Sequence, residues 1–155
     1  MRESFQHLLT DLEPKLIQLL AMPPAKPWNL PKGMPKAGVY VFSRGIEHLY
    51  VGRTNRLRPR ILEHCRTSSS SDSAPFAFKI ARARTGSTIA SYAKHGSRKW
   101  LSEQPAFAKA FLDAKVELRD LDVRWVEEDR PTQQLLLEVY VALALGAKHN
   151  DFDNH

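Results

Sequence analysis

Cysteine is nearly absent: Cys65 is the one thiol in 155 residues. An internal disulfide is therefore impossible, and a reducing compartment is the simplest reading. The chain has no CxxC pair and no glycine-rich phosphate loop, so structural zinc and nucleoside triphosphates lack support. It has no apolar run near the ~20 residues of a membrane span. The opening "MRESFQHLLTDLEPKL" carries charges and a proline where a signal peptide needs an apolar core. A soluble, cytoplasmic protein is the expectation. Acids are missing as well, since residues 73 to 102 contain none.

What is present points to a folded domain with a lopsided charge. Apolar residues make up 43 % of the chain, too many for a disordered one, and the length suits a single domain. The net charge is +6, but residues 44 to 102 hold twelve Lys and Arg against three acids, and the remainder is slightly acidic. A basic excess confined to one region suits a phosphate-binding surface, because neutralised phosphates release counterions. A solvated basic face without a partner fits the composition equally well.

Periodicity and breakers divide the chain. Residues 1 to 21 read as helix, with Phe5, Leu8, Leu9 and Leu12 on one stripe and a break near Pro14. "PPAKPWNLPKGMPK", with five prolines, reads as an extended connector lying against the domain through Trp28 and Leu30. Together they form an N-terminal extension, residues 1 to 35, ahead of a domain over 36 to 155. "TSSSSDSAP" reads as a mobile loop, followed by two or three helical pieces that break around Gly86 and Gly96. Loop and pieces form an insertion at about 67 to 118. "LDVRWVEE" alternates Leu121, Val123 and Trp125 on one face, as a strand does. A last helix should run from Pro131 to Leu145 and stop at Gly146. The class expected is α+β, a small, mostly antiparallel three-stranded sheet flanked by helices.

The stretch "GVYVFSRGIEHLYVGRTNRLRPRILEH" (38 to 64) reads as a hairpin running into a basic helix. Pairing Tyr40 with Tyr50 sets Val39 opposite Val51, Val41 opposite Leu49 and Phe42 opposite His48. That register gathers the four aliphatic residues on one face and both phenols on the other. Gly45 would supply the positive φ of the turn. The helix that follows should be capped by Thr54 or Asn55, with Pro59 in or beside its first turn. Arg60 and His64, four apart, then share one face. A plain basic surface helix would also account for Arg56 and Arg58.

Glu138 stands out in "LLLEVYVALALG", a helix that is otherwise apolar nearly all round. A carboxylate there must pair, bind a metal or reach solvent. With Gln134 four residues earlier, it could also mark the exposed face. His64 beside Cys65 shows no oriented third group, so a buried thiol is the commoner reading. "HNDFDNH" lacks the spacing of a metal loop.

These motifs resemble the GIY-YIG nucleases. Gly38-Val39-Tyr40 and Tyr50-Val51-Gly52 stand for the two name-giving motifs, with Val in place of Ile. Arg60 follows Gly52 by eight residues, as the family's helix arginine does. Glu138 and Asn150, twelve apart, are spaced as in the repair-incision branch. Arg53 takes the basic position after the second glycine, and His149 stands where many members carry Tyr. The 67 to 118 stretch has no counterpart in the minimal core.

The resemblance implies metal-dependent endonuclease activity on DNA, in repair or recombination, with RNA open as a substrate. It assigns Glu138 as ligand to one Mg²⁺ or Mn²⁺ ion and Arg60 to the scissile phosphate. Tyr40 becomes the general base or the group that orients the attacking water, and Tyr50 positions phosphate or water. His64 matches a histidine of restriction-type members and would assist proton transfer. Gly38, Gly52 and Asn150 would support the site. A phenol with an ordinary pKa near ~10 needs positive charge to act as a base, and Arg53 and Arg60 are the candidates. Arg53, Arg56, Arg58, Arg98 and Lys99 are expected to bind nucleic acid, the last two within an acid-free surface that includes Arg82, Arg84 and Lys94. The other expectation is a non-cleaving nucleic-acid-binding module or accessory subunit on the same fold.

Overall fold

The computed structural model describes residues 1–87 and 95–152, so Lys94 lies outside the described residues. In chain order the elements are α1 (Glu3–Thr10), α2 (Leu12–Ala21), a 3-10 turn (Pro27–Asn29), β1 (Gly38–Arg44), β2 (Glu47–Thr54), α3 (Leu57–Cys65), α4 (Pro75–Thr85), α5 (Arg98–Glu103), α6 (Pro105–Leu118), β3 (Asp122–Glu127) and α7 (Pro131–Leu145). The three strands are antiparallel in the order β2-β1-β3, the expected α+β arrangement. Among the described residues, no helix is long and apolar enough to cross a membrane.

Central strand β1 is buried from Gly38 to Ser43, because helices cover both faces of the sheet. On one face Val39, Val41, Val51 and Val126 pack against Leu16 and Leu19 of α2 and Leu137 and Val141 of α7. On the other, Tyr40, Phe42, Val123 and Trp125 meet Leu57 and Ile61 of α3, Phe76 and Phe78 of α4 and Phe107 of α6.

The hairpin register differs from the expected one by two residues. Tyr40 pairs with Gly52, Val41 with Val51, and Tyr50 with Phe42. A shift of two preserves faces, so both tyrosines still share a side. The cause lies at the turn. Gly45 and Ile46 form a two-residue link between Arg44 and Glu47, with Gly45 at φ 59°. The register then slips between Phe42 and Ser43, leaving Leu49 as the extra residue of a bulge. Leu49 consequently joins the tyrosine-side core instead of the valine face.

Other boundaries show what tertiary context adds. The N-terminal break falls at Asp11, and Pro14 sits in the first turn of α2, where its missing N–H costs nothing. Arg56 holds the N-cap position of α3, while the Thr54 hydroxyl accepts from the Arg56 N–H at 3.0 Å. In the connector Pro27 is buried but Trp28 is 63 % exposed, contrary to its expected anchoring role. The anchors are Leu30, which packs against the tyrosine-side core as expected, Ala25, which exchanges two 2.9 Å backbone hydrogen bonds with Val123, and Arg58, which donates to the Leu30 and Pro31 carbonyls. Ala25 thereby covers part of the β3 edge.

The β2 edge is covered by the C-terminal segment. Lys148 and His149 donate backbone N–H groups to the His48 and Leu49 carbonyls at 3.2 and 2.8 Å. α7 begins at Pro131 and ends at Gly146, φ 60°, as expected. The Ser-rich stretch is tied down by cations: Lys115 Nζ donates to the Thr67 and Ser69 carbonyls, Arg98 to Ser71 and Arg60 to Ser73.

Candidate active site

The site is built around β1. Tyr40 points into the tyrosine-side core with 1 % of its surface exposed, and its hydroxyl shares a 2.7 Å hydrogen bond with His64 Nε2. The ring lies over Gly52, where any Cβ would collide with the ring and its hydroxyl; glycine at the pairing partner of Tyr40 is a steric requirement. Gly38 is required for a similar reason, since a Cβ there would strike the Val126 carbonyl. Asn150 sets the neighbouring stretch of β2. Its Oδ1 accepts from the Val51 N–H at 2.7 Å and its Nδ2 donates to the Val51 carbonyl at 2.8 Å, as a paired strand would.

Around this pair stand the other motif residues. Tyr50 is half-buried, its ring stacked on Phe76 at 4.8 Å and 7°, and 6.5 Å from the Tyr40 ring. α3 turns Arg60 and His64 to the same side, as four-residue spacing dictates. Arg60 Nη1 donates to the Ser73 carbonyl at 3.1 Å and to Glu63 at 3.3 Å, and its charge acts on Tyr40, Tyr50 and His64 alike. From α7, Glu138 reaches the β2 edge, where Oε2 accepts from Arg53 Nε at 3.1 Å. Oε1 takes no hydrogen bond from the described residues.

The electrostatics correct one expectation. Burial raises the Tyr40 pKa well above 10, with the Tyr50 phenol adding to the rise, and Arg60 offsets this only in part. Arg53 is committed to Glu138 and does not activate the phenol. Tyr50 is pushed up to about 12 by its own burial. His64 is driven down to about 3, by burial and then by Arg60, so it is neutral at physiological pH. Its Nδ1 is buried without a hydrogen-bond partner, a cost that a residue serving packing alone would not explain. Glu138 is shifted upward by burial, opposed by Arg53 and Lys79.

Tyr40, Tyr50, Arg60 and His64 thus share the tyrosine side of the hairpin, while Glu138 comes to Arg53 at the β2 edge from α7, which packs on the valine face, and its charge still acts on both phenols. Among the other named cations, Arg56 pairs with Glu63 at 3.2 Å, and Arg58 is spent on the connector. Arg98 and Lys99 open α5. Two neighbours escaped the sequence reading. Phe76 provides the stacking wall for Tyr50, and Lys79 donates to the His149 carbonyl at 3.0 Å while its charge reaches Glu138. Their three-residue spacing on a helix within the acid-free stretch was the available signal. Among the described residues, no three His, Cys, Asp or Glu side chains gather as a metal cluster, and Cys65 is buried with its thiol pushed up to about 12.

No protein-family model, curated protein or solved structure matches this chain.

Proposed function

We propose that the protein is a metal-dependent endonuclease of the GIY-YIG type that hydrolyses phosphodiester bonds in DNA. The observation that carries this reading is the 2.7 Å Tyr40–His64 hydrogen bond beside Arg60, at a site that Glu138 reaches from the far end of the sequence. A core packed for stability alone would not bring a phenol, an imidazole, a guanidinium and a carboxylate together.

The donor set fits one hard divalent cation, because Glu138 Oε1 is not taken up by the described residues and the remaining positions suit water and phosphate oxygens. When bound, that cation would supply positive charge at the phosphate and lower the pKa of water. The chain's own groups do the rest. Arg60 holds the scissile phosphate and stabilises the charge that develops on it. Tyr40 orients the attacking water. His64 Nε2 accepts from the Tyr40 hydroxyl and so leaves the phenol oxygen's lone pairs free to accept from the attacking water, whose proton passes on to solvent. Tyr50, stiffened by Phe76, positions the phosphate.

A non-cleaving nucleic-acid-binding module is the second reading. It is favoured by the burial of Tyr40 and by the Arg53–Glu138 ion pair, which leave both groups neutralised. Nicking of supercoiled plasmid with Mg²⁺ and with EDTA separates the two. Cleavage that requires the metal supports the nuclease; binding without cleavage on plasmid, flapped, forked and nicked substrates supports the module.

A further inference from the structure

Outside the motif residues, a group of cations with little compensation lies on the insertion. Arg82 of α4 and Arg98 of α5 both place Cζ over the Phe78 ring, at 4.9 and 5.0 Å from its centroid. Phe78 is itself 1 % exposed, so one buried ring carries two guanidinium groups. Like charges held this close repel. Lys79 adds a third cation, and both arginines act on it.

The local acids do not resolve this. Asp72 approaches Arg98 Nη1 at 3.4 Å but is 87 % exposed, Asp151 acts on Lys79, and Glu138 is bound to Arg53. Arg82 Nε is buried without an acceptor, and no hydrogen bond or ion pair ties its guanidinium to a described residue. Arg84, two residues on, shows the contrast, for it clasps Glu117 at 2.8 and 2.6 Å. Two arginines converging on one ring, with donors to spare, make a receptor for an anion with several acceptor oxygens.

We propose that Lys79, Arg82 and Arg98 form a phosphate subsite that grips a backbone phosphate next to the scissile one. The proposal rests on the nuclease reading for its ligand. Its position follows from the neighbours: the Arg98 charge reaches Tyr50, and the Lys79 charge reaches Glu138. The insertion therefore lengthens the phosphate track away from the hairpin. Lys79 is fixed by the His149 carbonyl, so the subsite is joined to the segment that closes the β2 edge.

The test is a salt titration of short-duplex binding in EDTA, where no cutting interferes. Arg82→Gln/Arg98→Gln should bind roughly tenfold more weakly than wild type, the scale of a lost charge-assisted contact. Its plot of log affinity against log salt should be shallower by about one. Arg84→Gln should behave as wild type, and Arg82→Lys/Arg98→Lys should recover the slope, which separates lost charge from lost packing. Equal slopes for wild type and the double Gln variant would overturn the subsite even if the enzyme nicks DNA. A reduced slope in a protein that never cuts would keep the subsite and remove the nuclease. Absence of wild-type binding would overturn both.

Discussion

The two faces of β1 are packed by different rules. On the valine face, Val39 and Val41 are fully buried among aliphatic side chains of α2 and α7. On the tyrosine face, the same strand buries a phenol hydroxyl against a neutral imidazole with an orphan nitrogen, next to a guanidinium. One strand thus serves stability on one side and carries costly polar groups on the other. The difference teaches that the tyrosine face is arranged for something other than stability, because buried polar groups are tolerated chiefly where they are satisfied or used.

Substitutions on the two faces should separate accordingly. Tyr40→Phe keeps the ring and removes the hydroxyl. It should lower the cleavage rate by ~10² to ~10⁴, the usual loss for an acid–base group, with the melting temperature nearly kept. A rate within twofold of wild type would remove the hydroxyl from the chemistry. Val41→Ala on the opposite face should do the reverse. Loss of two buried methyl groups and the resulting cavity should cost about 2 kcal/mol in chemical denaturation, with the rate per folded molecule unchanged. A large rate loss at full folding would mean that the faces are not independent.

The effect most specific to the tyrosine face is absent at neutral pH and shows only in acid. Folded His64 titrates at about 3 against 6.5 in the unfolded chain, so the unfolded chain binds the proton first. The stability this contributes is complete above pH ~6.5 and drains as the pH falls towards ~3, by up to about 1.4 kcal/mol per pH unit. His64→Gln should flatten the stability–pH curve in that window. Parallel curves for wild type and variant would show that the imidazole is not held neutral.

Local features were legible in the sequence; features set by packing were not. Pro131 and Gly146 bounded α7, Gly45 marked the turn, and alternation separated valines from tyrosines, since each cue acts within a few residues. The register was misread because the Leu49 bulge depends on which core receives that side chain. Trp28 was misplaced because a proline-rich connector does not reveal which side chain it turns inward. Within the site, the motif residues could be named but their contacts could not. Tyr40 meets His64 across 24 residues, and Arg53 is drawn to Glu138 across 85, where spacing says nothing. Phe76 and Lys79 were lost in a helix whose pattern reads as ordinary core and surface.

The proposed nuclease function turns on Glu138, the carboxylate paired with Arg53 at the β2 edge, whose charge acts on both phenols. Its most direct test is Mg²⁺-dependent nicking of supercoiled plasmid by wild type and Glu138→Gln, with DNA affinity measured in parallel. Wild type should nick in Mg²⁺ and stop in EDTA, while Glu138→Gln should bind as wild type and leave the plasmid intact. Full Mg²⁺-dependent nicking by Glu138→Gln would contradict the account.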